Sequence, residues 1–389
     1  MIWNSQKCRI GAAGFVFGLA ALCVLSSIGC GRSDESSRTQ GDDFARRRDE
    51  RIEAQRKKAA ADLAREMAKG DCIMAQTYRR MGSVDKAIAA YRKAIAGSGD
   101  YGEAYAGLGG ACADAGRTDE ALSACRKALS LSPDSPAVHF SVARVYAQMD
   151  LHARAAEAFE KAVALKDDFA EAWAAVSGPY LRLGRNADAL AACEKAIALK
   201  PRYAEAHTAL GLVYGAMGRH EQALAAHKKA VSLKPQSPEA LNHLGVAYRT
   251  LGHRRRADAA LKRAVALKSD YAEAHYNIGV NFDEIDRYSD AAAAYGRAVE
   301  IDPNSAEAHF GLGGAYGELG KYADAVEAYK RAVDIEPGYA EAFYRMGFVS
   351  DELGRTDEAI AAYDKVVALE PESNLATLAR HHLRRLRRK

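Results

Sequence analysis

Histidine and cysteine are the side chains of this 389-residue sequence most suited to metal binding or covalent chemistry; it has 11 His and 7 Cys. Four histidines stand 34 residues, or a multiple of 34, apart: His139, His207, His275 and His309. Zinc requires ligand nitrogens within about 2.1 Å of one ion, whereas equivalent residues of successive packed helices lie about 10 Å apart. Other rings occupy the same interval, namely Tyr105, Trp173 and Phe343. The pattern therefore predicts a slot for a flat ring, with no metal and no other cofactor.

Two cysteines, Cys112 and Cys125, are expected to face each other across a pair of packed helices. In an exported protein, a disulfide between them is one interpretation. The other is a pair of small buried thiols at positions where related segments hold Tyr or Phe. The sequence leaves both interpretations open.

Motifs typical of enzymes are missing from the sequence, which has no Gly-rich phosphate loop and no Ser/His/Asp or Cys/His order. Gly-rich runs at 107–110 and 311–314 have no predicted strand before them, so they do not fit a nucleotide-binding turn. A formal charge of +4, with both signs mixed along the chain, disfavours a protein that coats nucleic acid. We therefore expect neither catalysis nor nucleic-acid binding.

A period of 34 residues runs through 68–373 and divides this region into nine units, numbered 1 to 9 from the N-terminus. We number the residues of each unit as places 1 to 34. Place 20 is Ala in all nine units and place 27 is Ala in eight, while place 8 is Gly, place 11 is Tyr and place 32 is Pro in six units each. Such a fixed phase indicates one structural element repeated nine times.

Each unit has the pattern of two helices joined by a turn. In unit 8 (306–339), small or apolar residues of each half fall on one helical face. They are His309, Leu312, Gly313 and Tyr316 in the first half and Ala325, Tyr329 and Ala332 in the second. Gly320 marks the turn between the halves, and Pro337 ends the second helix. One helical pair cannot bury its apolar face alone, so neighbouring units must stack.

This pattern resembles the tetratricopeptide repeat over about four-fifths of the chain. The resemblance implies an all-α protein, a right-handed α-solenoid of nine helix-turn-helix units whose first helices line a concave groove with places 5, 9 and 12. It also implies a non-enzymatic scaffold for protein–protein interactions. Residues 374–389 are predicted to form a capping helix with a basic tail. Its leucines are expected to face unit 9: Leu375, Leu378, Leu383 and Leu386.

The N-terminus has the pattern of a signal peptide over residues 1–29, because Lys7 and Arg9 precede an uncharged apolar run from 10 to 28. The small residues before Cys30 resemble the lipobox of bacterial lipoproteins, although Ser27 stands where that family usually has Leu. This resemblance implies lipidation of Cys30, with 30–67 as a linker and charged helix. The alternative is an uncleaved membrane-spanning helix. Both imply an exported, membrane-anchored protein at the bacterial outer membrane or the periplasmic face of the envelope.

The predicted peptide-binding site lies in the groove of the last units, where aromatic rings recur at place 5 and carboxylates follow them. It comprises Asn242, Tyr276, Asn277, Asp283, Phe310, Glu318, Tyr344, Phe348 and Asp351. Rigid rings bury area at little entropic cost, so we expect the site to bind a protein segment with apolar and basic residues. Two alternatives remain. The rings pack only against adjacent helices, or the protein is a carbohydrate-handling module or accessory subunit of an envelope enzyme complex.

The run Ser177-Gly178-Pro179 interrupts the first helix of unit 4. A proline inside a helix removes one hydrogen bond and costs about 3 kcal/mol. The sequence therefore predicts a kink or hinge between two rigid halves.

Overall fold

The computed structural model describes residues 35–388, with side chains from Arg46 onward, and regular structure in that range is entirely α-helical. The helical segments are α1 Glu35–Arg80, α2 Val84–Gly97, α3 Gly102–Asp114, α4 Thr118–Leu131, α5 Pro136–Gln148, α6 His152–Leu165, α7 Ala170–Ala175, α8 Ser177–Arg182, α9 Asn186–Leu199, α10 Ala204–Ala216, α11 His220–Leu233, α12 Pro238–Thr250, α13 Arg254–Leu267, α14 Ala272–Asp283, α15 Tyr288–Ile301, α16 Ala306–Glu318, α17 Tyr322–Ile335, α18 Ala340–Glu352, α19 Thr356–Leu369 and α20 Asn374–Leu386. The predicted signal peptide and Cys30 lie outside the described residues.

The chain divides into an N-terminal part that ends at Leu63 and a larger part that begins at Ala64. The described section of the N-terminal part belongs to α1, and its side chains from 46 to 63 are exposed. This is the charged segment that was predicted to be helical. All nine units and α20 belong to the larger part, an all-α solenoid of consecutive helical pairs.

Helix boundaries follow the repeat closely. We call the first helix of a unit its A helix and the second its B helix. Every A helix from α3 onward begins at place 1, and every B helix begins at place 17. Four serines at place 34 cap the next helix, because their hydroxyl oxygen accepts the backbone N–H three residues later. The pairs are Ser135–Val138, Ser237–Ala240, Ser305–Ala308 and Ser373–Ala376.

The turn between the two helices of a unit needs a left-handed residue at place 15. Seven units have Gly there, with φ between 70° and 74°. Asp150 and Asp286 take its place in units 3 and 7, with φ of 56° and 58°. Glycine adopts this conformation without steric cost, and Asp tolerates it better than most residues do.

The contact between A and B helices depends on small residues at fixed places. All nine alanines at place 20 are at most 5% exposed. A Cβ added to Gly279 at place 8 would lie 2.6 Å from the ring of Tyr295 at place 24, and one added to Gly313 would lie 2.8 Å from that of Tyr329. Place 8 is therefore small because the side chain at place 24 fills the space opposite it.

The A helix of unit 4 is interrupted, because Val176 separates α7 from α8. Pro179 has no N–H to donate to the carbonyl of Ala175. The hydroxyl of Ser177 donates to the carbonyl oxygen of Ala174 at 2.6 Å. The interruption agrees with the effect expected of Pro179, and the kink and the hinge both stay predictions.

Helix α20 packs on unit 9, where Leu383 and Leu386 are buried against Tyr363 and Val366 of α19. Leu375 is partly buried in the same cluster. The prediction for Leu378 is wrong, since it is 51% exposed. The buried residues of α20 are Ala376, Ala379, Leu383 and Leu386. With 3.6 residues per turn, Leu378 lies off this stripe.

Candidate functional site

In five units the ring at place 4 attaches the A helix to the turn before it. Four histidines place Nε2 between 2.8 and 3.1 Å from a backbone carbonyl oxygen six residues earlier: His139–Pro133, His207–Pro201, His275–Ser269 and His309–Pro303. A carbonyl oxygen only accepts, so each Nε2 carries the proton and donates it. Trp173 Nε1 donates in the same way to the oxygen of Asp167 at 2.9 Å. The described residues hold no group of three side chains able to bind a metal ion.

Cys112 and Cys125 are free thiols and are fully buried. Of the disulfide and the pair of buried thiols that the sequence left open, the structure contains the pair of thiols. Burial raises the pKa of the Cys125 thiol to about 12, and those of Cys72 and Cys193 to about 11. Because the thiolate is the nucleophilic form, these side chains act as core residues.

The aromatic and acidic residues predicted to bind a peptide lie on the A helices of units 7 to 9. We call them the aromatic–acidic face: Tyr276, Asp283, Phe310, Glu318, Tyr344, Phe348 and Asp351. The place-5 rings Tyr276, Phe310 and Tyr344 are half-buried. Each packs on the ring at place 24 of its own unit, with centroids 5.6 Å apart in all three pairs. One part of each ring is thus used within the fold, and the remainder stays accessible.

The same ring cluster also occurs in unit 3, where the sequence does not predict it. Phe310 lies 5.6 Å from Tyr329 and 5.0 Å from Tyr339. At the equivalent places, Phe140 lies 5.7 Å from Phe159 and 5.0 Å from Phe169. Place-5 rings therefore have a packing role in two distant units.

Helix α20 covers part of the face in unit 9. The hydroxyl of Tyr344 lies 3.4 Å from Nε2 of His382, and Arg385 forms an ion pair with Asp351. Phe348 is 43% exposed. Within unit 9, then, Phe348 is the most accessible member of the face.

The carboxylates of units 7 and 8 form a negative region on this surface. Burial raises the pKa of Asp283, and the neighbouring charges of Glu318, Glu284 and Asp286 raise it further. Glu284 pairs with Arg249 at 2.5 Å. Asp283 and Glu318 form no ion pair among the described residues. This negative charge would favour a cationic group of a ligand.

Asn242 and Asn277 take part in an internal hydrogen-bond network. Asn277 Nδ2 donates to Asn242 Oδ1 at 3.0 Å, and Asn242 Nδ2 donates to Glu273 Oε1 at 3.0 Å. Tyr271 Oη lies 3.5 Å from the same nitrogen. Asn242 is fully buried and Asn277 nearly so. Their amides link units 6 and 7 in this conformation.

A cavity of about 680 Å³, which the sequence does not predict, lies on the A helices of units 1 to 3. Its wall contains a network that spans these three units. Arg79 donates to Asp114 at 3.0 Å and to Gln148 at 3.2 Å, and Gln148 Nε2 donates to Asp114 at 2.7 Å. Burial opposes ionisation of Asp114, but the hydrogen bonds from Arg79 and Gln148 lower its pKa overall. Asp114 and Gln148 stand at place 13, which is not among the places 5, 9 and 12 predicted to line the groove.

A smaller cavity, of about 250 Å³, lies between units 5 and 6. His227 and His243 line it with their rings stacked 5.6 Å apart. Nδ1 of His227 is buried and has no hydrogen-bond partner among the described residues. Burial, with a smaller effect of His243, lowers the pKa of His227 to about 4.

Sequence profiles described as tetratricopeptide repeat match almost the whole repeat region. The matched residues are 74–136 and 281–340, 113–177 and 318–381, 180–218 and 216–252, and 238–271. Among curated proteins, none matches this sequence.

Solved structures share the fold. The APC/C hetero-tetramer Cut9-Hcn1 has a TM-score of 0.56 and 16% identity, over 82% of this chain and 76% of that chain. Pseudomonas aeruginosa pilF has a TM-score of 0.50 and 17% identity, over 56% of this chain and 98% of that one. YrrB, described as a TPR protein with an unusual peptide-binding site, has a TM-score of 0.41 and 23% identity, over 49% and 97%. Within residues 35–388, no helix is both long and apolar enough to cross a membrane.

Proposed function

The chain belongs to the tetratricopeptide repeat family, and from this premise we propose that it is a non-enzymatic scaffold that binds other proteins. The aromatic–acidic face of units 7 and 8 receives a protein segment with apolar and basic residues. One observation carries this assignment: the half-buried rings Tyr276 and Phe310 share a surface with Asp283 and Glu318, which form no ion pair among the described residues.

The chemistry of the bound segment follows from these two components. The accessible parts of Tyr276 and Phe310 contribute apolar area at little entropic cost, because their positions are already fixed by Tyr295 and Tyr329. A lysine or arginine close to Asp283 would relieve the repulsion among its neighbouring carboxylates. Apolar and basic residues in one short segment satisfy both requirements.

The test removes the negative charges of the face and keeps the size of its side chains. Fluorescence anisotropy would compare a peptide of leucine and lysine with one in which glutamate replaces lysine. We expect the lysine peptide to bind, with an affinity that falls as salt rises. Asp283→Asn combined with Glu318→Gln should weaken it about tenfold, because each ion pair formed near the surface contributes roughly 0.2–1 kcal/mol.

The matched control removes two exposed carboxylates from the B helix of unit 8, as Asp324→Asn with Glu327→Gln. This variant lowers the net negative charge equally and should bind the lysine peptide as the wild type does. Equal binding of both peptides, or equal loss in both double variants, would show that the face does not select a basic segment.

The same proposal places the scaffold at the bacterial envelope, held by a lipid on Cys30 after removal of residues 1–29. Its support is the apolar run that ends in small residues before Cys30. Anchoring would raise the local concentration of a weak groove and so increase its occupancy. Mass spectrometry of the mature N-terminus tests this, since an unmodified Met1 or a free Cys30 thiol would contradict it.

A further inference from the structure

The aromatic ring at place 11 is missing from unit 9, and a cavity lies beside that position. Place 11 is Tyr in six units, Phe282 in unit 7, Cys112 in unit 2 and Ser350 in unit 9. Helices α17, α18 and α19 line an open cavity of about 400 Å³ around Ser350. Its lining includes Val326, Lys330, Phe343, Met346, Ser350 and Arg355. Pockets of this volume are large enough for a small ligand or a side chain.

The other units show what this slot normally holds. In unit 7, the ring of Phe282 lies 4.6 Å from the guanidinium of Arg287 at place 16 and 5.6 Å from Nζ of Lys262 at place 25 of the preceding unit. In unit 4, Arg185 at place 16 lies 4.2 Å from the ring of Tyr180. Further pairs of this kind are Lys228–Tyr248 at 5.5 Å and Lys321–Tyr316 at 5.7 Å. The slot is thus an aromatic site flanked by cations.

Unit 9 keeps the cations and lacks the ring. Arg355 stands at place 16 and Lys330 at place 25 of the preceding unit, and both line the cavity. Ser350 is 1% exposed, and its Oγ has no hydrogen-bond partner among the described residues. Buried hydroxyl groups without a partner are uncommon, so the cavity offers one unused polar contact at its base.

We propose that this cavity binds the tyrosine side chain of a partner protein. The phenol ring enters hydroxyl first, so that its oxygen reaches Ser350 Oγ while its face lies against Lys330 and Arg355. Phe343 and Met346 supply the apolar contact. The site involves a B helix of unit 8 and both helices of unit 9, and it is distinct from the aromatic–acidic face of units 7 and 8.

We expect the tyrosine to come from another molecule. All 19 tyrosines of the sequence lie between Tyr78 and Tyr363, so residues 1–34 contain none that could enter the slot. Tyr316, at place 11 of unit 8, and Tyr363, in α19 of unit 9, already belong to packed clusters.

Methyl NMR on the full-length protein, with methionine methyl groups labelled, tests the proposal. N-acetyltyrosinamide should shift the methyl signal of Met346 saturably and leave those of Met149 and Met217 unchanged. Ser350→Tyr places a ring of the protein itself in the slot and should abolish the shift of the Met346 methyl signal. Ser350→Ala keeps the cavity without the hydroxyl and should weaken N-acetyltyrosinamide about fivefold, while leaving N-acetylphenylalaninamide unaffected.

A second variant covers the case in which Ser350→Tyr does not fold. Lys330→Gln with Arg355→Gln removes the two cations at places 25 and 16 and should weaken binding about tenfold. No saturable shift of Met346, or an undiminished shift in Ser350→Tyr or in the Lys330→Gln, Arg355→Gln variant, would overturn the proposal. Binding of p-cresol without N-acetyltyrosinamide would identify a free phenol as the ligand instead. Sedimentation that shows a dimer, lost on Ser350→Tyr, would identify a second copy of this chain.

Discussion

His227 illustrates, at the scale of the residue, how a reactive side chain becomes a packing element. It stands at place 24, where other units hold Tyr, Phe, Leu or Cys. Its ring fills the space opposite Gly211, where an added Cβ would lie 2.4 Å from it. Burial keeps it neutral at pH 7, because its pKa is lowered to about 4. The histidines at place 4 are instead held by a backbone carbonyl, so position in the repeat decides the role of each.

The burial of His227 makes the free energy of unfolding depend on pH. The unfolded chain protonates His227 below about pH 6.5, whereas the folded chain keeps it neutral down to about pH 4. The unfolded state therefore binds more protons in this window, and stability falls as pH falls through it, by roughly 3 kcal/mol in total. His227→Leu, which copies Leu261 opposite Gly245 in unit 6, should remove this dependence. Hydrogen exchange of the α11 amides at pH 4.5 and 7 measures it.

The reciprocal variant provides the control. Leu261→His should introduce the same dependence in α13, one unit further along. If His227→Leu leaves the pH dependence of α11 unchanged, His227 is not the group that produces it.

At the scale of the element, the repeat fixes both ends of each helix, and departures from it have visible effects. Ser caps at place 34 and left-handed residues at place 15 set the boundaries. Pro179 violates the helical pattern within unit 4, and the helix breaks three residues earlier at Val176. The lost hydrogen bond, rather than a missing turn residue, is the cause.

Replacing Pro179 with Ala should restore a donor for the carbonyl of Ala175. We expect slower hydrogen exchange over 172–183 and a more continuous helix, with a gain of about 1 kcal/mol or more in local stability. Pro238→Ala is the matched control, since Pro238 is the first residue of α12 and replaces no intrahelical bond there. Unchanged exchange over 172–183 in Pro179→Ala would argue against a hinge caused by the proline.

At the scale of the whole molecule, the charged groups of the A helices differ along the repeats. Units 1 to 3 hold Arg79, Arg80 and Arg144 together with Glu103 and Asp114 around the cavity of about 680 Å³, whereas Asp283 and Glu318 of units 7 and 8 form no ion pair among the described residues. The two regions therefore differ in their balance of charge. Contacts run mainly between neighbouring helices in sequence, so each region can be altered without affecting the other.

Removal of 374–389 tests this independence. The deletion exposes Tyr363 and Val366 and loses the burial of Leu383 and Leu386, at a cost of roughly 4 kcal/mol. Hydrogen exchange should accelerate in α18 and α19 and stay unchanged in α3 to α6, because stability in a stacked array is a sum of neighbour contacts. A uniform acceleration along all units would show a single cooperative core instead.

The period of the sequence determined the helical pairs, their turns and the ring slot at place 4. These follow from local geometry, since Gly at place 15 and Ala at places 20 and 27 act within one unit.

The contacts that the predicted site residues make were decided only by the tertiary structure. Asn242 and Asn277, predicted to contact a ligand, form a hydrogen bond with each other across units, and the hydroxyl of Tyr344 lies 3.4 Å from His382 of α20. The cavity at Ser350 likewise depends on Lys330 of the preceding unit. Contacts between units join residues about 20 to 40 positions apart, and the pattern of a single unit contains no information on which of these side chains contact each other.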